Sequence, residues 1–153
     1  VTPEDLTFYT MIGTLVSAVA AAIAAIISML SLKSWKRQAR YDNTRNAVKS
    51  WLSGAAIFRG TLKQIYSSKV SWPDDKESIE FVSNNYWQLV ALWPPVHASL
   101  EGKAKKVAEE LWHDLFTKYN NFMSGAGELE GLGQSVEAIY NNEQLKGVIA
   151  NPR

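Results

Sequence analysis

From Leu6 to Leu32 the chain runs 27 residues without a charged side chain, and Lys33, Lys36, Arg37 and Arg40 follow within eight positions. A helix of about 20 residues crosses a hydrocarbon core of about 30 Å, so the run is long enough to span a bilayer with room for tilt. A soluble helix normally keeps a charged face, and none exists here. The composition of the run is the main argument the other way. Six alanines (18, 20, 21, 22, 24 and 25) and several Ser/Thr make it only moderately apolar. An Ala-rich helix buried in a soluble bundle would look similar.

The flanking charges give a direction. Basic residues beside a span stay in the cytoplasm, so the expected topology is a single pass through the plasma (inner) membrane with the N-terminus outside and the C-terminal part cytoplasmic. Phe8, Tyr9 and Trp35 fit aromatic belts at the two interfaces. A cleavable secretory signal has a positive leading end and a shorter apolar stretch, and here the charge order is reversed. Pilins and filamentous-phage coat proteins also place acids before a long apolar helix. Pilins then need a β-rich head and the coat proteins are far shorter, so neither fits.

At 100° per residue the run separates into two faces. Ile12, Leu15, Val16, Val19, Ile23, Ile26, Ile27 and Leu30 lie on one side. Gly13, Ser17, Ala20, Ala21, Ala24, Ser28 and Ser31 lie on another. Small residues let helix backbones approach closely in lipid, where no hydrophobic drive exists between helices. The small face is therefore the expected packing face, against copies of itself or a larger membrane partner. Small residues are also simply common in spans. No charge inside the run marks an ion path through a pore.

Charge divides the rest. Residues 1–32 carry −2, residues 33–69 carry +8 and residues 70–153 carry −5. The expected organisation is a short extracytoplasmic N-terminus (1–5), a transmembrane helix (6–32), a basic juxtamembrane helix (33–69) and an acidic helical-bundle domain (70–153). Lys33, Lys36, Arg37, Arg40 and Trp35 are expected to set topology and to meet anionic lipid headgroups. The alternative, a phosphate track with aromatic platforms for nucleic acid, sits badly beside a membrane.

The chain beyond residue 32 suffices for one cored domain but not two. The pattern predicts a helix continuing from Lys33 to Lys69, with Val48, Trp51, Leu52, Ala55, Phe58, Leu62, Ile65 and Tyr66 on its apolar side. Val70–Asp75 should break it, with Asp74 or Asp75 capping a helix that Pro94-Pro95 ends, and Pro95 can sit in the first turn of the next. One strong amphipathic helix is expected from Val96 to Met123. Ser124 to Gly133 reads as a flexible connection, and a last helix runs from about Gln134 to Ile149 before a polar end at residues 151–153. No segment alternates with period two. The fold class expected is all-α: one N-terminal transmembrane helix continuing into a cytosolic antiparallel bundle of about four helices. Trp51, Trp112 and Trp87 are expected in its core, with Trp72 and Trp93 at its ends.

Chemistry is sparse. There are no cysteines and two histidines. His97 with Glu101, and Glu109 with His113, share faces at i and i+4, but a zinc site needs three or four ligands. If one helix holds both histidines they stand about 24 Å apart. The glycines at 125, 127, 131 and 133 lack the lysine and the preceding strand of a phosphate loop. No catalytic set, metal site or cofactor motif emerges, and the residues match no family motif. The expected function is non-enzymatic: a single-pass membrane protein whose cytosolic helical domain self-assembles or docks a protein partner, as an accessory subunit of a membrane complex for instance. The alternative is an oligomerising membrane effector, of toxin or antiviral-defence type, that perturbs or permeabilises the bilayer.

Overall fold

A computed structural model describes residues 2–67 and 76–150, and among them every regular element is helical. The expected break at Val70–Asp75, its capping aspartates, Trp72 and the polar end at 151–153 lie outside the described residues. The helices are α1 (Pro3–Ser67), α2 (Lys76–Ala91), α3 (Trp93–Ser99), α4 (Gly102–Met123), α5 (Leu129–Asn141) and α6 (Glu143–Ala150). The chain divides into two compact units, Val1–Arg40 and Tyr41–Arg153.

The start of α1 is specified locally. Pro3 occupies the first helical position, where its missing N–H costs nothing. Thr2 and Asp5 form a reciprocal cap: the Thr2 N–H and hydroxyl donate to Asp5 Oδ2 at 3.0 and 2.7 Å, and the Asp5 N–H donates to Thr2 Oγ1 at 3.4 Å. The Thr2 hydroxyl, and then its N–H, hold the Asp5 carboxyl below its usual range by stabilising the carboxylate. Pro3 is the only proline in the 65 residues of the helix.

In the first unit, residues 2–38 are all exposed. The run lies in one helix that is long and apolar enough to cross a membrane by length and composition, and none of the run is buried within its own unit. Four of its hydroxyls are absorbed by the helix itself. Thr7, Thr10, Thr14 and Ser17 donate to the carbonyls of Pro3, Leu6, Thr10 and Gly13 at 2.8–2.9 Å.

The second unit is built around one core. The later part of α1 buries Val48, Trp51, Leu52, Ala55, Phe58, Leu62 and Ile65 at the expected spacings of three and four, but Tyr66, expected on the same side, is 65 % exposed near the end of the helix. Val82, Tyr86 and Leu89 of α2 join it, with Val96 of α3 and Ala108, Leu115, Tyr119 and Phe122 of α4. Leu132, Val136 and Ile139 of α5 and Leu145 of α6 complete it. Aromatic rings fill much of the space. Trp93 stacks on Trp112 at 5.0 Å between centroids and leans on Trp51 at 5.2 Å. Gly54 lets α1 pass close to α2, since a Cβ there would stand 2.7 Å from a Leu92 methyl and 3.1 Å from one of Leu89.

Two segments expected as single helices are each divided. The stretch from Val96 to Met123 breaks at Leu100 and Glu101, whose backbones are extended. Burial of the Leu100 side chain, 3 % exposed, pins the chain there, and Gly102 takes φ 61°, which disfavours an L side chain. The last helix splits at Asn142, whose Oδ1 accepts the N–H groups of Gln144 and Leu145, both at 3.1 Å. The glycine-rich connection is shorter than expected, because α5 already begins at Leu129 and Gly131 and Gly133 are helical. The Ala126 and Gly127 N–H groups close that turn on the Asn121 carbonyl at 2.8 and 2.9 Å, with Gly125 at φ 75°. Pro95 lies in the first turn of α3 as expected, and Pro94 joins it there, because α2 already stops at Ala91. Trp87 is 59 % exposed and so is not core.

Candidate functional site

The features that sequence reasoning singled out fall on the first 40 residues of α1. Gly13, Ser17, Ala20, Ala21, Ala24 and Ser28 are exposed, and no atom lies within 4 Å of where a Cβ on Gly13 would stand. On the other face Leu15, Val16, Val19 and Ile26 are each more than half exposed. Phe8 and Tyr9 meet edge to face at 6.1 Å near the helix start. Lys33, Trp35, Lys36, Arg37 and Arg40 are exposed on the same helix.

An apolar surface of this length is far larger than the few hundred Å² that soluble monomers leave open. By length and composition the helix could cross a membrane. The backbone is satisfied internally and the threonine hydroxyls carry no unmet hydrogen-bond demand to the outside.

The second unit shows polar clusters without a catalytic layout. His97 Nε2 meets Glu109 Oε1 at 3.0 Å, a pairing across the α3–α4 break rather than along one helix. The i,i+4 pairing of His97 with Glu101 fails because the two residues lie on either side of the end of α3, and the 24 Å separation along one helix no longer applies. Arg59 Nη2 meets Glu137 Oε1 at 2.6 Å, with the guanidinium 5.6 Å from the Tyr140 ring centre. The Ser135 hydroxyl donates to the Asp114 carboxylate. That serine is 3 % exposed and its hydroxyl also lies 3.3 Å from the Gly131 carbonyl, so it is held inside the packing between α4 and α5. Among the described residues no three His, Asp or Glu side chains gather as a metal site.

Two grooves open on this unit. One of about 520 Å³ is lined by Asn46, Ser50, Ser53 and Gly54 of α1 and Asn85 and Gln88 of α2, among others. The second, about 350 Å³, is lined by Arg59, Lys63, Tyr66, Glu130, Gln134 and Glu137 among others. Its charges are mixed and pair internally through Arg59 and Glu137. Neither groove holds converging groups that would define a reaction.

Among the described residues Tyr86 is the one strongly perturbed group. Its ring lies parallel to that of Tyr119 at 3.5 Å, and its hydroxyl is buried with no protein partner. Burial, and secondly the charge Tyr119 would carry, push its pKa up to about 12 from 10.0. The protonated form is thus favoured by the fold, so this stability is whole below pH 10 and drains away as pH rises towards 12. Phenolate absorbance is expected to show one tyrosine titrating late, its ionisation coinciding with loss of near-ultraviolet circular dichroism. Tyr86→Phe should remove that late step. Sequence periodicity placed Tyr86 on the core stripe, but nothing in the sequence pairs it with a residue 33 positions away.

Comparison with protein-family models, with curated proteins and with solved structures gives no match.

Proposed function

We propose that the chain is a non-enzymatic, single-pass membrane protein. Leu6–Leu32 crosses the plasma (inner) membrane with the N-terminus outside, and the unit from Tyr41 onward is a cytosolic antiparallel helical bundle that serves assembly, with copies of itself or with a larger membrane partner. The observation that carries this reading is the uncharged helical run whose side chains are exposed from end to end, in a chain that otherwise builds a normal core. Lys33, Lys36, Arg37 and Arg40 support the orientation.

Assembly rests on the small face. Gly13 and Ser17 stand one turn apart with Ala20, Ala21, Ala24 and Ser28 continuing the same side. The Ser17 hydroxyl is already bonded to the Gly13 carbonyl at 2.8 Å, so close backbone approach there leaves no donor stranded. Gly13→Leu with Ser17→Leu is expected to lower crosslinking between copies, or recovery of a co-purifying membrane protein, several-fold while leaving membrane insertion intact. Detergent purification with oligomer mass and mass spectrometry of bound proteins reads both arms. Unchanged association in the double variant would remove the small face from the mechanism. Dye uptake and growth arrest on expression would instead mark a bilayer-perturbing effector.

A further inference from the structure

We infer that Lys33, Lys36, Arg37 and Arg40 form a one-sided seat for an anionic phospholipid headgroup, an inference that rests on the membrane-spanning reading. All four are exposed on an unbroken helix. Their spacing of i, i+3, i+4 and i+7 confines them to about 100° of the helix circumference and about 10 Å of its length. Neighbours at these spacings have Cβ atoms about 5–6 Å apart, so two or three cations can meet one phosphate.

A topology signal needs only cations near the end of a span and is indifferent to the side they occupy. The confinement to one face is what a ligand accounts for. The stripe begins at the residue after the apolar run ends, at the depth where headgroup phosphates lie. It is centred about 160° around the helix from the Gly13–Ser28 small face. Packing of small faces would therefore turn the cations outward to lipid and away from the same cations on another copy. Nucleic acid is the less suitable phosphate source. A single-strand track needs aromatic platforms among its cations, and Trp35 lies on the other side of the helix.

The test uses the full chain in vesicles of phosphatidylcholine and phosphatidylglycerol at 7:3, with spin-labelled lipids of each kind. Carbonate resistance first reads integration. The wild-type chain is expected to prefer phosphatidylglycerol several-fold, each charge contributing at most about five-fold. Replacing all four cations with Gln should bring the preference to parity without releasing the protein. An isocharge variant (Lys36→Ser, Arg37→Gln, Ser34→Lys, Gln38→Arg) keeps four cations but moves two off the stripe, and should lose at least half of the preference. Full preference in the isocharge variant would show that charge number, not the face, matters and would overturn the inference. So would parity in the integrated wild type, or displacement of labelled lipid by added single-stranded RNA. Carbonate release of the wild-type chain would overturn the spanning reading as well.

Discussion

Lysine at positions 19 and 23 is expected to abolish stable membrane integration. Val19 is the midpoint of Leu6–Leu32, and Ile23 stands one turn further along the same bulky face, both about half exposed. A lysine at the centre of a span costs about 2.5–3.5 kcal/mol on insertion scales, and each replaced Val or Ile forfeits a few tenths more. The pair therefore costs about 6 kcal/mol, a factor of more than about 10⁴ in partitioning. Snorkelling gives least relief at position 19, about 20 Å of helix from either end of the run, and somewhat more at position 23, about 13 Å from Leu32. The double variant should be released by carbonate or aggregate, whereas wild type stays in the pellet. Val19 and Ile23 contribute nothing to the core of the second unit, so near-ultraviolet circular dichroism of that unit should be unchanged. A double variant that resists carbonate with its near-ultraviolet spectrum intact would exclude this run as the anchor.

The features that decide this experiment were legible in the sequence because they are local. Absence of charge over 27 residues is a property of the run itself, and so is the missing breaker between it and Val48. The stripe from Val48 to Ile65 follows for the same reason: its spacing is that of one helix surface. What the sequence concealed depends on distant residues. Leu100 looks like one more apolar position on a long amphipathic helix, and only its burial in the core explains why the backbone turns there. That turn then hands His97 to Glu109 instead of Glu101. Gly131 and Gly133 read as breakers, yet burial of Leu132 and Val136 outweighs a helix penalty of about 1 kcal/mol per glycine. The candidate site follows the same division. Its faces come from helical periodicity, whereas nothing local says what packs against them.

The core should prove most sensitive at Trp51. Its side chain is fully buried, and it leans on Trp93, which in turn stacks on Trp112 with the ring planes 5° apart. Trp51→Ala is expected to cost about 3–5 kcal/mol, because the lost transfer energy is joined by a cavity that rigid neighbouring rings close poorly. Loss of the aromatic pair adds about 0.5–1.5 kcal/mol. Whole domains are stable by only about 5–15 kcal/mol, so this single change removes a large share of the margin. Trp87→Ala supplies the control, since that ring is 59 % exposed and surface changes usually stay within about 0.5 kcal/mol. The denaturant midpoint of the near-ultraviolet signal should fall sharply for the first variant and scarcely move for the second. Equal shifts would mean that the Trp51–Trp93–Trp112 cluster does not hold this unit together. Because the cluster joins α1 to α3 and α4, its loss should release the later part of α1 from the bundle. The expected mark is a loss of whatever binding the bundle contributes while association through the Gly13–Ser28 face persists, which separates the bundle's part in assembly from that of the apolar run.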